Sequence, residues 1–269
     1  MIESGKTYVV MGLLDQDSIA FAIGQKIEQH GGRVLYTVQN ERMKRLFFDR
    51  SKKLTQPEKD SVSIDFCDVT IEEEVEALFA RIGPVSGVVH SIAFVNPKTC
   101  LGEEYHTSAF DDLKSGFHIS VVSLATVARH AVQHMPGGGG IACLTFSSHI
   151  SWPYYNWMSV NKAALEANVR GLARRHGRDN VRVNAVSAGP LQTKAAGAIP
   201  GFNELSNTWS RISPLRWNPE EDRHAVADAV TFLVGPHSAK ITGQTIHVDG
   251  GASSTGGALL EHEIGPAAD

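Results

Sequence analysis

The sequence predicts a single α/β domain of the Rossmann type: a seven-stranded parallel sheet, doubly wound, with helices on both faces. Apolar, β-branched runs recur along the chain with helix-length segments between them, the alternation that builds βαβ units. Several of these runs, VVM, GVVH and RVNAV among them, lack polar alternation, as strands covered on both faces do. A length of 269 residues suits one large domain better than two of ordinary size.

The elements follow in order. A strand over 7–11 ends at Gly12, and apolar three- and four-residue spacings then predict a helix over 19–30 with Ser18 or Asp17 as its N-cap. Strands over 33–38 and 62–65 precede a helix over 71–82, and a strand over 87–91 precedes one long helix over 110–135. Four glycines, 137–140, form a turn into a strand over 141–146. A helix over 157–176, a strand over 181–186, a helix over 222–234 and a strand over 245–248 complete the sheet. Residues 1–252 are expected to form the domain, and the small, polar, aperiodic tail 253–269 to be partly mobile.

Composition excludes several functions. Hydrophobic residues at 42% and charged residues at 20% mark a globular chain. A net charge of −4 leaves no basic excess for nucleic acid or anionic lipid. No apolar run approaches the roughly 20 residues that span a bilayer, and MIESGKTYVVMG lacks the pattern of a signal peptide, so a soluble, cytoplasmic protein is expected. Cys67, Cys100 and Cys143 fit neither a disulfide framework nor a zinc-ligand pair. His130 and His134 have a metal-binding spacing without a third ligand nearby. They read as solvent-facing, and no metal is expected.

The chemistry concentrates at the carboxyl ends of the strands, where open α/β sheets bind ligands. A helix start after Gly12 aims backbone N–H groups at an anion such as a pyrophosphate, although a plain βα turn would read the same. Asp68-Val69, Ser91-Ile92-Ala93 and the stretch from Ala188 to Thr193 share that rim. In PYYNWMSVNKAALEANVRGLA, Tyr155 and Lys162 stand seven apart, about two helical turns and roughly 10 Å along one face. A Tyr hydroxyl there can hydrogen-bond a developing oxyanion, and an ammonium can hold ribose hydroxyls and favour the tyrosinate. An amphipathic helix with an ordinary aromatic and a solvated lysine is the bland alternative.

These residues, with GLLDQDSIAFAI, TVQNERMK, VVHSIAF, VRVNAVSAGPLQTKAAGAI and TGQTIHVDGG, resemble the enoyl-acyl-carrier-protein reductases of bacterial type II fatty acid synthesis. That family is a divergent branch of the short-chain dehydrogenase/reductases, and the resemblance runs from about Lys6 to Gly251. Ordinary short-chain dehydrogenases place Lys four after Tyr and Ser about thirteen before it. Here Ser159 and Ala142 hold those places.

The resemblance implies a catalytic Tyr155, a cofactor-binding Lys162 and Phe146 as the second active-site aromatic. It assigns Gly12, Ser18 and Ile19 to the pyrophosphate turn, Gln39 to the adenosine ribose, and Asp68 and Val69 to the adenine pocket. Ser91, Ile92 and Ala93 would line the cofactor, with Pro190, Leu191 and Thr193 beside the nicotinamide. Phe94, Val95, Met158 and Ala195 would face the substrate. It further implies NADH as cofactor, an enoyl chain on acyl carrier protein as substrate, a homotetramer, and a mobile lid over about 193–213. Ala93, where glycine is usual, and the unfamiliar stretch 147–152 depart from the family pattern.

Overall fold

The computed structural model describes residues 1–106 and 109–260. Seven parallel strands run in the order β3-β2-β1-β4-β5-β6-β7. They are β1 Thr7–Met11, β2 Arg33–Val38, β3 Ile64–Phe66, β4 Gly87–His90, β5 Gly139–Thr145, β6 Val181–Ala188 and β7 Thr245–Val248. Strand order reverses between β1 and β4, which opens a crevice at their carboxyl ends.

The main helices are α1 Ile19–Gln29, α2 Glu72–Ile82, α3 Phe110–Phe117, α4 Ser123–Gln133, α5 Asn156–His176, α6 Phe202–Ile212 and α7 Arg223–Val234. Alternate residues of each strand feed opposite layers. On β1, Val10 joins Ile23, Ile27, Val226 and Val230 of α1 and α7, whereas Val9 and Met11 join α2, α4 and α5 through Leu78, Leu124 and Leu165. Each layer is a separate apolar core, so the sheet is desolvated on both faces.

The expected long helix over 110–135 is divided. Residues His118–Val122 form a π-helical turn between α3 and α4. Ser120 Oγ there accepts from Phe94 N at 3.0 Å and donates to Phe94 O at 2.9 Å, and Ser123 Oγ donates to Ile119 O at 2.7 Å. Serine hydroxyls that bond carbonyls in this way loosen the helical ladder, and a π-turn absorbs the extra residue. Its effect is to tie the loop after β4 to the helix behind it.

His130 is not solvent-facing: it is buried, with Nε2 at 3.0 Å from Glu72 Oε1, because α4 packs along α2. His134 is half-buried and stacks on Phe79. Of the tail, Ser253 bonds Asp249, Thr255 bonds Gly251, and Leu259 N donates to Arg211 O. Residues 261–269 lie outside the described residues.

Gly24 in α1 is required by a close approach: a Cβ there would overlap the Tyr36 ring and hydroxyl, and that hydroxyl donates to Phe21 O at 3.2 Å. In an open helix Gly→Ala stabilises by about 1 kcal/mol. Here Gly24→Ala is expected to destabilise by about 1–3 kcal/mol through overpacking. Tyr36→Phe should recover part of the loss in the double variant, because it removes the nearest clashing atom. Denaturant midpoints of the three variants check both signs.

Candidate active site

One cavity of about 760 Å³ opens at the switch point along the carboxyl ends of the strands. Every residue that the sequence singled out for cofactor or substrate lies on its wall. At one end stand Gly12, Ser18, Ile19, Gln39, Asp68 and Val69. Ser91, Ile92, Ala93, Phe94 and Val95 follow after β4, and Phe146, Tyr155, Met158 and Lys162 come from β5 and α5. Pro190, Leu191, Thr193 and Ala195 close it after β6.

The turn after β1 is built for close approach. Gly12 has φ +91°, and a Cβ there would overlap the Ser91 carbonyl oxygen, so only glycine lets β1 and β4 end side by side. Ser18 caps α1, its Oγ accepting from Phe21 N at 3.2 Å and donating to Asp15 O at 2.6 Å. The first turn of α1 therefore faces the cavity with its positive end. Two carboxylates in this turn would oppose an anion, and both are paired. Buried Asp15 meets Lys194 Nζ at 3.3 Å, while Asp17 meets Lys53 at 2.9 Å and Arg223 at 3.1 Å. With their charge offset, this backbone cradle fits a pyrophosphate. At the far end Gln39 Nε2 donates to Asp68 Oδ2 at 2.7 Å, leaving the Gln39 carbonyl oxygen for a hydroxyl.

Tyr155 stands at the N-terminus of α5 between two residues of positive φ, Tyr154 at +63° and Asn156 at +26°. Such conformations persist only where the surroundings hold them. Gly102 does so from both sides: its N–H donates to Tyr154 O at 2.9 Å, and its carbonyl accepts from Asn156 Nδ2 at 2.5 Å. The Tyr155 ring packs on Phe146 with centroids 4.9 Å apart, and Trp152 and Trp209 extend the aromatic wall. Burial pushes the phenol above its ordinary value, and no cation acts on it strongly enough to lower it. The hydroxyl therefore holds its proton and can donate it in a hydrogen bond.

Lys162 is 5% exposed and donates through Nζ to Leu144 O at 2.9 Å. Burial lowers its ammonium to about 8, against an upward pull from Cys143 and Glu166. Beside it, burial followed by the Lys162 charge holds His90 near 4, so this histidine is neutral. Ala142 is fully buried in β5 and brings no hydroxyl. Ala93 is exposed and absent from the residues of positive φ, so its backbone needs no glycine.

The lid segment has two parts. Residues 193–201 form a loop with a short 3₁₀ turn, Ala196–Ala198, whereas 202–212 form α6, anchored by fully buried Trp209. Trp209 Nε1 donates to Asp249 O at 2.9 Å and its ring lies 4.4 Å from Trp152. The unfamiliar stretch 147–152 thus packs against α6 through Trp152.

Three features escaped sequence reasoning. Leu101 lines the apolar end from a segment with no motif, beside Phe202 and Leu205 of the stretch 193–213 that was expected to cover the substrate. The Asp15–Lys194 pair joins positions far apart in sequence, and nothing local announces it. Glu166 is buried one helical turn after Lys162, and its i+4 spacing could have drawn notice.

Residues 12–253 match the family model described as enoyl-(acyl carrier protein) reductase. The chain is 38% identical to the NADPH enoyl-acyl-carrier-protein reductase FabI of Staphylococcus aureus over 255 residues, 91% of this chain and 96% of that one. It is 36% identical to the NADH enzyme of that name from Bacillus subtilis, over 92% of this chain and 95% of that one. A crystal structure of the Bacillus cereus enoyl-acyl carrier protein reductase, solved with NADP+ and indole naphthyridinone, superposes with a TM-score of 0.85 at 36% identity, covering 94% and 98% of the two chains. On the family model, the identities and the superposition, the chain belongs to the enoyl-acyl-carrier-protein reductase family.

Proposed function

We propose that the protein reduces trans-2-enoyl thioesters carried on acyl carrier protein to acyl thioesters, with NADH as the reductant, in fatty acid elongation. The observation that carries this reading is the pairing of a neutral Tyr155 hydroxyl with a buried Lys162 ammonium on one helix face, above a glycine cradle for a pyrophosphate. Absence of a hydroxyl at Ala142 argues against ordinary carbonyl reduction, where that hydroxyl would assist the oxygen.

When bound, the nicotinamide supplies a hydride to C3 of the enoyl chain. Tyr155 donates its hydroxyl proton in a hydrogen bond to the thioester oxygen as negative charge develops there. Phe146, backed by Trp152 and Trp209, keeps water from that oxygen, which strengthens the bond. Lys162 holds ribose hydroxyls and sets the register of the dinucleotide. C2 then takes a proton from solvent or a relay. Leu101, Met158, Phe202 and Leu205 suit an apolar chain of short to medium length.

NADH is favoured over NADPH by the rim at Gln39. The free Gln39 carbonyl accepts from a ribose hydroxyl, and the Asp68 carboxylate beside it would repel a 2′-phosphate. Of the two cations nearby, Lys44 is engaged by Asp49 at 2.7 Å, and Arg42 is exposed in the short helical turn Glu41–Met43. Exposed Phe110, Phe117, Val122 and Val160 on adjoining helices support a homotetramer with this face buried between subunits. Three unpaired, buried thiols suit a reducing cytoplasm.

NADH oxidation with a trans-2-enoyl thioester, run beside a 3-oxoacyl thioester, tests the activity. Turnover is expected with the first alone, and preference for the second overturns the reading. Steady-state kinetics should give kcat/KM at least tenfold higher with NADH than with NADPH, about 1.4 kcal/mol or more. Tyr155→Phe is expected to lower kcat by about a hundredfold, about 3 kcal/mol, with NADH affinity nearly intact. Lys162→Ala should instead weaken NADH binding, read by fluorescence titration. Light scattering at micromolar concentration should report a tetramer.

A further inference from the structure

We propose that Glu166 is a positioning residue of the site: its buried carboxylate keeps Lys162 in the cationic form that grips the dinucleotide and clamps the segment that carries Phe146. The proposal rests on Lys162 being the ribose-binding residue, as proposed above.

Glu166 is 4% exposed, deep in the layer between α5 and the sheet. Its two oxygens are used separately: one accepts from Thr145 Oγ1 at 2.8 Å and the other from Ser148 Oγ at 2.8 Å. Two hydroxyl donors on two oxygens suit an ionised carboxylate, which has acceptors and no proton to place. A buried carboxylate is costly unless a charge answers it; of the two cations one helical turn away on α5, Arg170 is exposed, whereas Lys162 is buried in the same layer. Lys162 has the matching problem: it is buried, and among the described residues its one protein acceptor is the neutral Leu144 carbonyl.

Three successive attachments from α5 therefore land on the end of β5, at Leu144, Thr145 and Ser148. Phe146, the ring against Tyr155, lies within that span. Other groups around Lys162 do not supply the charge. His90 from β4 is neutral, and Cys143 from β5 is a thiol that burial pushes up to about 12. Tyr155 on the same helix is a neutral phenol. Across the cavity Asp15 is paired with Lys194, and Asp68 at the adenosine end accepts from Gln39 and Thr70. Glu166 is thus the charged partner of Lys162 in the layer behind the site.

The sign follows directly. Raising pH removes the Lys162 charge, and loss of the Glu166 charge makes that removal easier, so the loss of dinucleotide affinity should move to lower pH. NADH affinity is read by fluorescence titration of the whole protein from pH 6 to 9 for wild type, Glu166→Gln and Glu166→Asp. Wild type should lose affinity with a midpoint near 8. Glu166→Gln keeps the shape and removes the charge, and its midpoint should fall by about one pH unit, giving about fivefold weaker binding at pH 8 and equal binding at pH 6. Glu166→Asp retains the charge one methylene farther away, so its midpoint should lie between the other two.

A constant loss of affinity at every pH, a wild-type profile for Glu166→Gln, or any other order of midpoints overturns the proposal. Should the glutamine variant fail to fold, the aspartate variant decides by the same order. If neither folds, Glu166 serves stability alone and the proposal falls. Wild type that binds no NADH refutes the reading of Lys162 itself, an outcome distinct from a flat ratio between variants that do bind.

Discussion

The site depends on one constraint: a lysine ammonium held out of water between α5 and the end of β5. Among the described residues Lys162 has a single protein acceptor, the Leu144 carbonyl, in a layer it shares with Leu165, Val169, His90 and Glu166. Such a charge is tolerated only with its hydrogen bonds and a compensating charge in place. Meeting that demand locks α5 against β5 in one register. Because Tyr155 starts α5 and Phe146 follows β5, the same lock sets the two rings 4.9 Å apart. Placement of the reacting oxygen is in this way coupled to placement of the cofactor.

A second constraint is steric. The parallel order brings β1 and β4 side by side at the reversal of direction, and their ends converge where a dinucleotide would lie. Gly12 permits that convergence, and the π-turn behind β4 holds the opposing loop through Ser120. The floor of the cavity is consequently rigid, made of strand ends and capped helix starts. Its roof is the loop 193–201, tied to the floor by the Asp15–Lys194 pair and continued by α6.

Electrostatics then separates the two ends. At the adenosine end, Gln39 and Asp68 present acceptors suited to hydroxyls. At the other end a phenol that keeps its proton and a cation stand close to the aromatic ring of Phe146. Burial acts in opposite senses on these two: it keeps the proton on Tyr155 and loosens it on Lys162. The tyrosine therefore serves as a hydrogen-bond donor, while the lysine remains sensitive to the charges around it.

Most of the fold was legible in the sequence because it is written in local patterns. The bounds of β1, β2 and β7 match the expected runs, since β-branched clusters between helical periods have few other uses. The Tyr155–Lys162 spacing placed both side chains on one face by helix geometry alone, and motifs at the strand ends marked the rim. Tertiary structure decided the rest. Ser120 ties the π-turn to the loop after β4 because Phe94 stands beside it, and His130 is buried because α2 lies against α4. Trp209 holds α6 because Trp152 meets it, and Lys194 reaches Asp15 only once the fold has brought the loop after β6 to the turn before α1. Periodicity along a chain records which face of an element is apolar; it carries no record of the distant side chain that face will meet, and the charges and protons of this site are set by those meetings.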